Sequence, residues 1–239
     1  MTSLSKHHTQ QTTLDPLKPV SAQLRTIIRR RIIANDLKPN SKISEPELAK
    51  TYNVSRQPVR EAFITLVNEG LLEIRPQRGT IVKRINYDAV LDARFVREAV
   101  EADIVSLLAT QHDRDLIVEL RAQLKEQRRV AKLPTYQFME LDEKFHRTLA
   151  KAARKGKTWR ILDDIKSQMD RVRYLSSETI PVSKLIKQHE QIINYIEISD
   201  VKNANNAIRS HLREILADLP RVQQLYPNYF ECSWGDSHE

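Results

Sequence analysis

Asp142 and His146 stand four residues apart in MELDEKFHRTL. One helical turn therefore brings a carboxylate and an imidazole onto one face. His189 in LIKQHEQII and His211 in AIRSHLREI each fall inside a further helical pattern. If those helices enclose a common cavity, one carboxylate and three imidazoles converge there. That donor set suits Zn²⁺, Ni²⁺ or Mn²⁺ and leaves positions open for a ligand. Spacing alone leaves a plainer alternative, in which each histidine is a hydrogen-bonded structural residue. The other histidines, His7, His8, His112 and His238, fall in the tails or between helices.

A second chemistry is written in SRQPVREAFITLVNEGLLEIRPQRGT, from Ser55 to Thr80. Ser55 is placed to cap a helix, and Pro58 sits in its first turn, where a missing N–H costs little. Val59, Ala62, Phe63, Leu66 and Val67 form the buried stripe. Arg56, Gln57 and Arg60 flank that stripe near the helix N-terminus. Arg75 and Arg78 follow on a hairpin, with Gly79 at its tip, where a glycine allows close backbone approach. Guanidinium and amide groups so arranged suit the phosphates and base edges of DNA. The bland alternative is a surface helix with solvated arginines.

These groups need elements to position them. A first helix is expected over 20–35 from Leu24, Ile27, Ile28 and Ile32, and DLKPNSK ends it. Ser44 and Glu47 match a capping box for a short second helix, with Leu48 and Ala49 inward. TYNV turns into the third helix, and Gly70 ends it. LLEIR and TIVKRI around PQRG make a β-hairpin. Helix, helix, turn, helix, hairpin is a winged helix-turn-helix, assigned to 18–85. Helical patterns follow near 87–110, 113–131, 134–153, 156–178, 183–199 and 201–218. The fold class is mostly α: a winged helix-turn-helix, then an all-α bundle over 86–220. Residues 1–17 read as a flexible polar arm and 221–239 as a tail with aromatic residues available to dock on the bundle.

Composition agrees. Only 4 glycines occur in 239 residues, and 40% of residues are hydrophobic, enough for a core. The single cysteine, Cys232, excludes an internal disulfide or a thiolate zinc knuckle and points to a reducing, cytoplasmic setting. No apolar run approaches a membrane span. Charge is unevenly placed. Residues 18–84 carry 14 Lys and Arg against 6 Asp and Glu, whereas 85–239 carry 24 of each. A polyanion partner for the first third follows.

With these motifs in place, the chain resembles the GntR superfamily of transcription regulators, in the FadR-like branch with an FCD effector-binding domain. The resemblance rests on ISEPELAKTYNVSRQPVREAFITLVNEGLLEIRPQRGTIV in the first domain and on LDEKFHRTLAKA, QHEQII and NNAIRSHL in the second. It implies that the family's metal ligands fall on Asp142, His146, His189 and His211. It also implies that an arginine facing the metal cavity and an anionic effector falls on Arg97, beside Glu98. Two segments depart from the family's pattern. Pro46 replaces a frequent arginine, and Ala153-Arg154-Lys155 replaces a frequent Ala-Gly-Asn.

The expected function is a dimeric regulator that binds a near-palindromic operator in double-stranded DNA and responds to a small carboxylate or sugar acid beside a divalent metal. Two rivals differ in class. One is a metal-dependent hydrolase fused to a DNA-binding domain, with Glu143 and Glu190 as the only carboxylates next to the ligands in sequence. The other is an architectural DNA-binding protein with no effector, whose histidines are core residues.

Overall fold

The computed structural model describes residues 13–131, 135–176 and 181–231. Most of the arm, together with Cys232 and His238, lies outside the described residues. The chain forms two compact units, one of residues 1–87 and 226–239, the other of 88–225.

In the first unit, α1 (Val20–Ile33), α2 (Glu45–Tyr52) and α3 (Arg56–Asn68) accompany a small antiparallel sheet. Leu24, Ile28 and Ile32 on α1 and Val59, Phe63 and Leu66 on α3 are buried together, as their helical spacing dictates. β1 (Lys42–Ile43) lies beside β3 (Gly79–Val82), which pairs with β2 (Leu72–Arg75) to give the order β1-β3-β2. The hairpin was expected. The two-residue β1 was not, because it is too short to show alternation.

The two helix starts differ for one reason. Ser44 Oγ accepts from the Glu47 amide at 3.3 Å, closing a free N–H. Ser55 also occupies an N-cap, but its side chain makes no capping bond. The third helical residue there is Pro58, which has no N–H to offer. The expected cap is therefore corrected: Pro58 lacks the N–H that Glu47, at the equivalent position, gives to Ser44.

The second unit comprises α4 (Tyr87–Thr110), α5 (Arg114–Val130), α6 (Thr135–Ala152), α7 (Gly156–Ile165), α8 (Ser167–Ser176), α9 (Val182–Glu197), α10 (Val201–Leu212) and α11 (Glu214–Leu225). Val105, Leu120, Phe145, Ile192, Ile193 and Ile208 lie in its core. Two expected helices prove divided. The pattern over 156–178 breaks at Lys166, whose buried ammonium reaches Asp170 at 2.7 Å and Glu143 at 3.0 Å. The pattern from 201 breaks at Arg213. Pro220 lies inside α11 rather than ending a helix; its fixed φ fits a helix, at the cost of one backbone hydrogen bond and of ring crowding against the turn before it.

The tail is corrected too. After a 3₁₀ turn at Pro227–Tyr229 the chain pairs with Ile85 of the first unit. The Ile85 amide donates to the Tyr229 carbonyl at 2.7 Å, and the Glu231 amide donates to the Ile85 carbonyl at 2.9 Å. Phe230 is buried. Residues 226–231 thus belong to the first unit and not to the bundle, whereas 221–225 continue α11.

Candidate metal centre and nucleic-acid interface

Helix α6 supplies Asp142 and His146 one turn apart, α9 supplies His189, and α10 supplies His211. All four are buried, and one ligand atom from each falls within 4.8 Å of the others. The His146 and His189 Nε2 atoms lie 3.2 Å and 3.3 Å from His211 Nε2. Asp142 reaches His189 Nε2 at 3.5 Å and His146 Nε2 at 3.8 Å.

The outer ring atoms explain which atoms face inward. His146 Nδ1 meets Glu101 Oε2 at 2.5 Å. His189 Nδ1 meets Gln127 Oε1 at 2.8 Å, and His211 Nδ1 meets Gln188 Oε1 at 3.0 Å. Both glutamines are oriented by their own donations, from Gln127 Nε2 to the Leu141 carbonyl and from Gln188 Nε2 to Glu214. Each partner is an acceptor, so each Nδ1 carries a proton, and a neutral ring then turns its Nε2 lone pair inward. Burial, partly countered by Asp142, pushes the His189 imidazolium down to about 3. Burial and then His189 and His146 push His211 well below the usual histidine range. These two rings are neutral.

Three imidazole Nε2 atoms converge beside a carboxylate, and Asp142 Oδ1 is buried without a hydrogen-bond partner. Asp142 Oδ2 accepts from Arg173 at 2.5 Å. Burial works to raise the Asp142 carboxyl, but the Arg173 guanidinium beside it holds it well below its ordinary value. Ligand bonds of about 2.1 Å set neighbouring donors about 3.0–3.4 Å apart, whether the ion takes four ligands or more, and the imidazole separations present fall in that range. The donor set therefore fits a divalent ion.

Arg97 on α4 is buried, and its Nε donates to Glu101 at 2.5 Å. Its Nη2 is buried without a partner. Arg97, Arg173 and His211 share a cleft with the apolar Leu185, Leu212 and Ile215. Sequence reasoning missed Glu101, Gln127, Gln188 and Arg173. Glu101 precedes His146 by 45 residues, and no local spacing announces it. Glu143 and Glu190 are engaged elsewhere, with Lys166 at 3.0 Å and Arg128 at 2.7 Å.

In the first unit Ser55, Arg56, Gln57 and Arg60 are all exposed on the N-terminal half of α3. Gln57 Nε2 donates to Glu61 at 3.2 Å. Arg75 is exposed on β2 and pairs with Glu73 at 2.9 Å. Arg78 is exposed in the turn, and Gly79 has φ +88°. A Cβ on Gly79 would meet nothing within 4 Å, so its backbone angle, not crowding, selects glycine there.

Residues 20–82 match the bacterial regulatory proteins of the gntR family, and residues 92–214 match the FCD domain. The chain is a GntR-family regulator with an FCD domain. It is 34% identical over 224 residues to the HTH-type transcriptional repressor RspR of Escherichia coli K12, covering 93% of this chain and 98% of that protein. It is 27% identical over 198 residues to a probable D-xylose utilization operon transcriptional repressor of Paenarthrobacter nicotinovorans, covering 82% of this chain and 87% of that one. Among solved structures, E. coli McbR/YncC superposes with a TM-score of 0.73 at 15% identity, over 88% of this chain and 100% of that chain. That likeness shows the shared fold. The exposed arginines lie within the segment that matches the gntR family, and the histidine cluster lies within the segment that matches the FCD domain. No described helix of this regulator is long and apolar enough to cross a membrane.

Proposed function

We propose that this regulator binds an operator as a homodimer and responds to a small anionic metabolite held beside a divalent metal in the FCD domain. The observation that carries the metal is the inward set of three Nε2 lone pairs facing a partnerless buried carboxylate oxygen. Asp142, His146, His189 and His211 would hold Zn²⁺, Ni²⁺ or Mn²⁺. When bound, the ion supplies a Lewis-acidic position for a carboxylate oxygen. Arg97, with a free buried N–H, and Arg173 supply the cationic wall for such a ligand. A carboxylate or sugar acid fits that wall. One relative is named for a D-xylose utilization operon, in keeping with a sugar-derived effector.

On the DNA side, Ser55, Arg56, Gln57 and Arg60 face the duplex from α3, with Arg75, Arg78 and Gly79 on the wing. An effector that prefers one arrangement of the dimer then biases operator affinity.

Metal-depleted protein offered Zn²⁺, Ni²⁺ and Mn²⁺ tests the centre. The expected result is uptake of one ion per chain, with thermal stabilisation of about 2.7 kcal/mol at a hundredfold excess over Kd. His189→Ala should lose that uptake and still bind DNA. A wild-type chain that takes up none of the three ions has no such centre.

A further inference from the structure

The exposed face of α3 carries one large apolar residue. Ile64 is 49% exposed although it lies in the middle of the helix. The helix has ample room to hide aliphatic side chains and does so with Val59, Phe63 and Leu66. Ile64 instead stands four residues after Arg60 and seven after Gln57, which places all three on one solvent-facing stripe. The other exposed residues of α3, Arg56, Glu61, Thr65 and Asn68, are polar. An aliphatic side chain at the centre of a polar, DNA-facing stripe has a specific counterpart. In the major groove only thymine presents a methyl group, and apolar contact is how that group is read.

We propose that Ile64 is a specificity-determining residue that reads a thymine C5-methyl group in each half-site. This rests on the assignment of α3 to the major groove. Arg60 and Gln57 read hydrogen-bonding edges, and Ile64 adds the one feature that hydrogen bonds cannot report.

The test removes the methyl group alone. Duplexes are selected from a randomised library by the full-length protein, and each thymine of the selected site is replaced in turn by deoxyuridine. At one position per half-site the wild-type protein should bind about fourfold more weakly, the factor for losing one methyl group of buried apolar surface. Ile64→Ala should bind the thymine and uracil duplexes alike. Because Ile64 is half exposed, that variant should keep the wild-type melting temperature. A protein that selects no duplex overturns the DNA-binding assignment and this inference with it. Selection followed by indifference to uracil at every position overturns the role of Ile64 alone. Uracil sensitivity that persists in Ile64→Ala does the same, since another group then reads the methyl.

Discussion

Glu98 shows how much a single buried side chain can organise. Its carboxylate accepts from Arg213 at 2.5 Å, from Arg94 at 2.6 Å and from Arg209 at 3.1 Å. It thereby joins α4 to α10 and to the residue between α10 and α11. The Arg213 bond, opposed by burial and aided by Arg209 and Arg94, holds its carboxyl at about 2 against an ordinary 4.5. A carboxylate depressed on folding stabilises the native state above its unfolded pKa, and that stability is lost as pH falls through the folded one. Urea melts should therefore show Glu98→Gln to be less stable near neutrality by about 1–3 kcal/mol. The gap should close as pH falls from 4.5 toward about 2. A gap of constant size would mean that shape, not charge, carries the effect. Residue chemistry was only partly legible beforehand. Asp142 and His146 are readable because one helix turn relates them. His189 and His211 are candidates only on the condition that their helices enclose one cavity; the family resemblance strengthens that reading, and the geometry brings the four residues together. Glu101, Gln127 and Arg173 act across helices, where spacing along the chain carries no signal.

Helix endings show what a chain with few glycines must do instead. α3 closes with Gly70 at φ +70°, the Leu71 amide reaching the Leu66 carbonyl and the Gly70 amide reaching Val67, each at 2.9 Å. α2 closes the same way on Asn53, α6 on Arg154 and α9 on Ser199, with φ of +52°, +58° and +58°. At α6 the Lys155 amide reaches the Ala150 carbonyl at 2.8 Å and the Arg154 amide reaches Lys151 at 2.9 Å. The departure from the family's Ala-Gly-Asn therefore leaves this loop in a left-handed turn, occupied by a residue that adopts it at a cost. That cost is about 1–2 kcal/mol, against about 0.5–1 kcal/mol of extra chain entropy that a glycine would lose. Arg154→Gly should therefore raise stability by up to about 1 kcal/mol in thermal melts. A loss would show that the Arg154 side chain contributes contacts of its own. Element types and most boundaries were legible, because the apolar periods of α1, α3, α5 and α9 are strong. The breaks at Lys166 and Arg213 were not, since neither carries proline or glycine. Pro220 misled in the opposite direction.

For the whole molecule, charge and assembly belong together. The excess of 14 basic over 6 acidic residues lies within 18–84, and the remainder from 85 is balanced at 24 and 24. One winged helix covers one half-site, so a near-palindromic operator calls for two copies. Sedimentation should give a dimer at micromolar concentration and two chains per selected duplex. A monomer binding one to one would end that proposal. The two-unit division was anticipated near residue 86, but the fate of the tail was not. LYPNYFE has no periodicity, and only the Ile85–Phe230 bridge reveals its place. That bridge bears on how the protein is made. The chain leaves the first unit at Tyr87 and rejoins it at Tyr226, so the whole second unit interrupts the first. A ribosome must deliver some 138 intervening residues, Asp88 to Leu225, before Phe230 can meet Ile85. The winged unit is the first to be synthesised and the last to be completed.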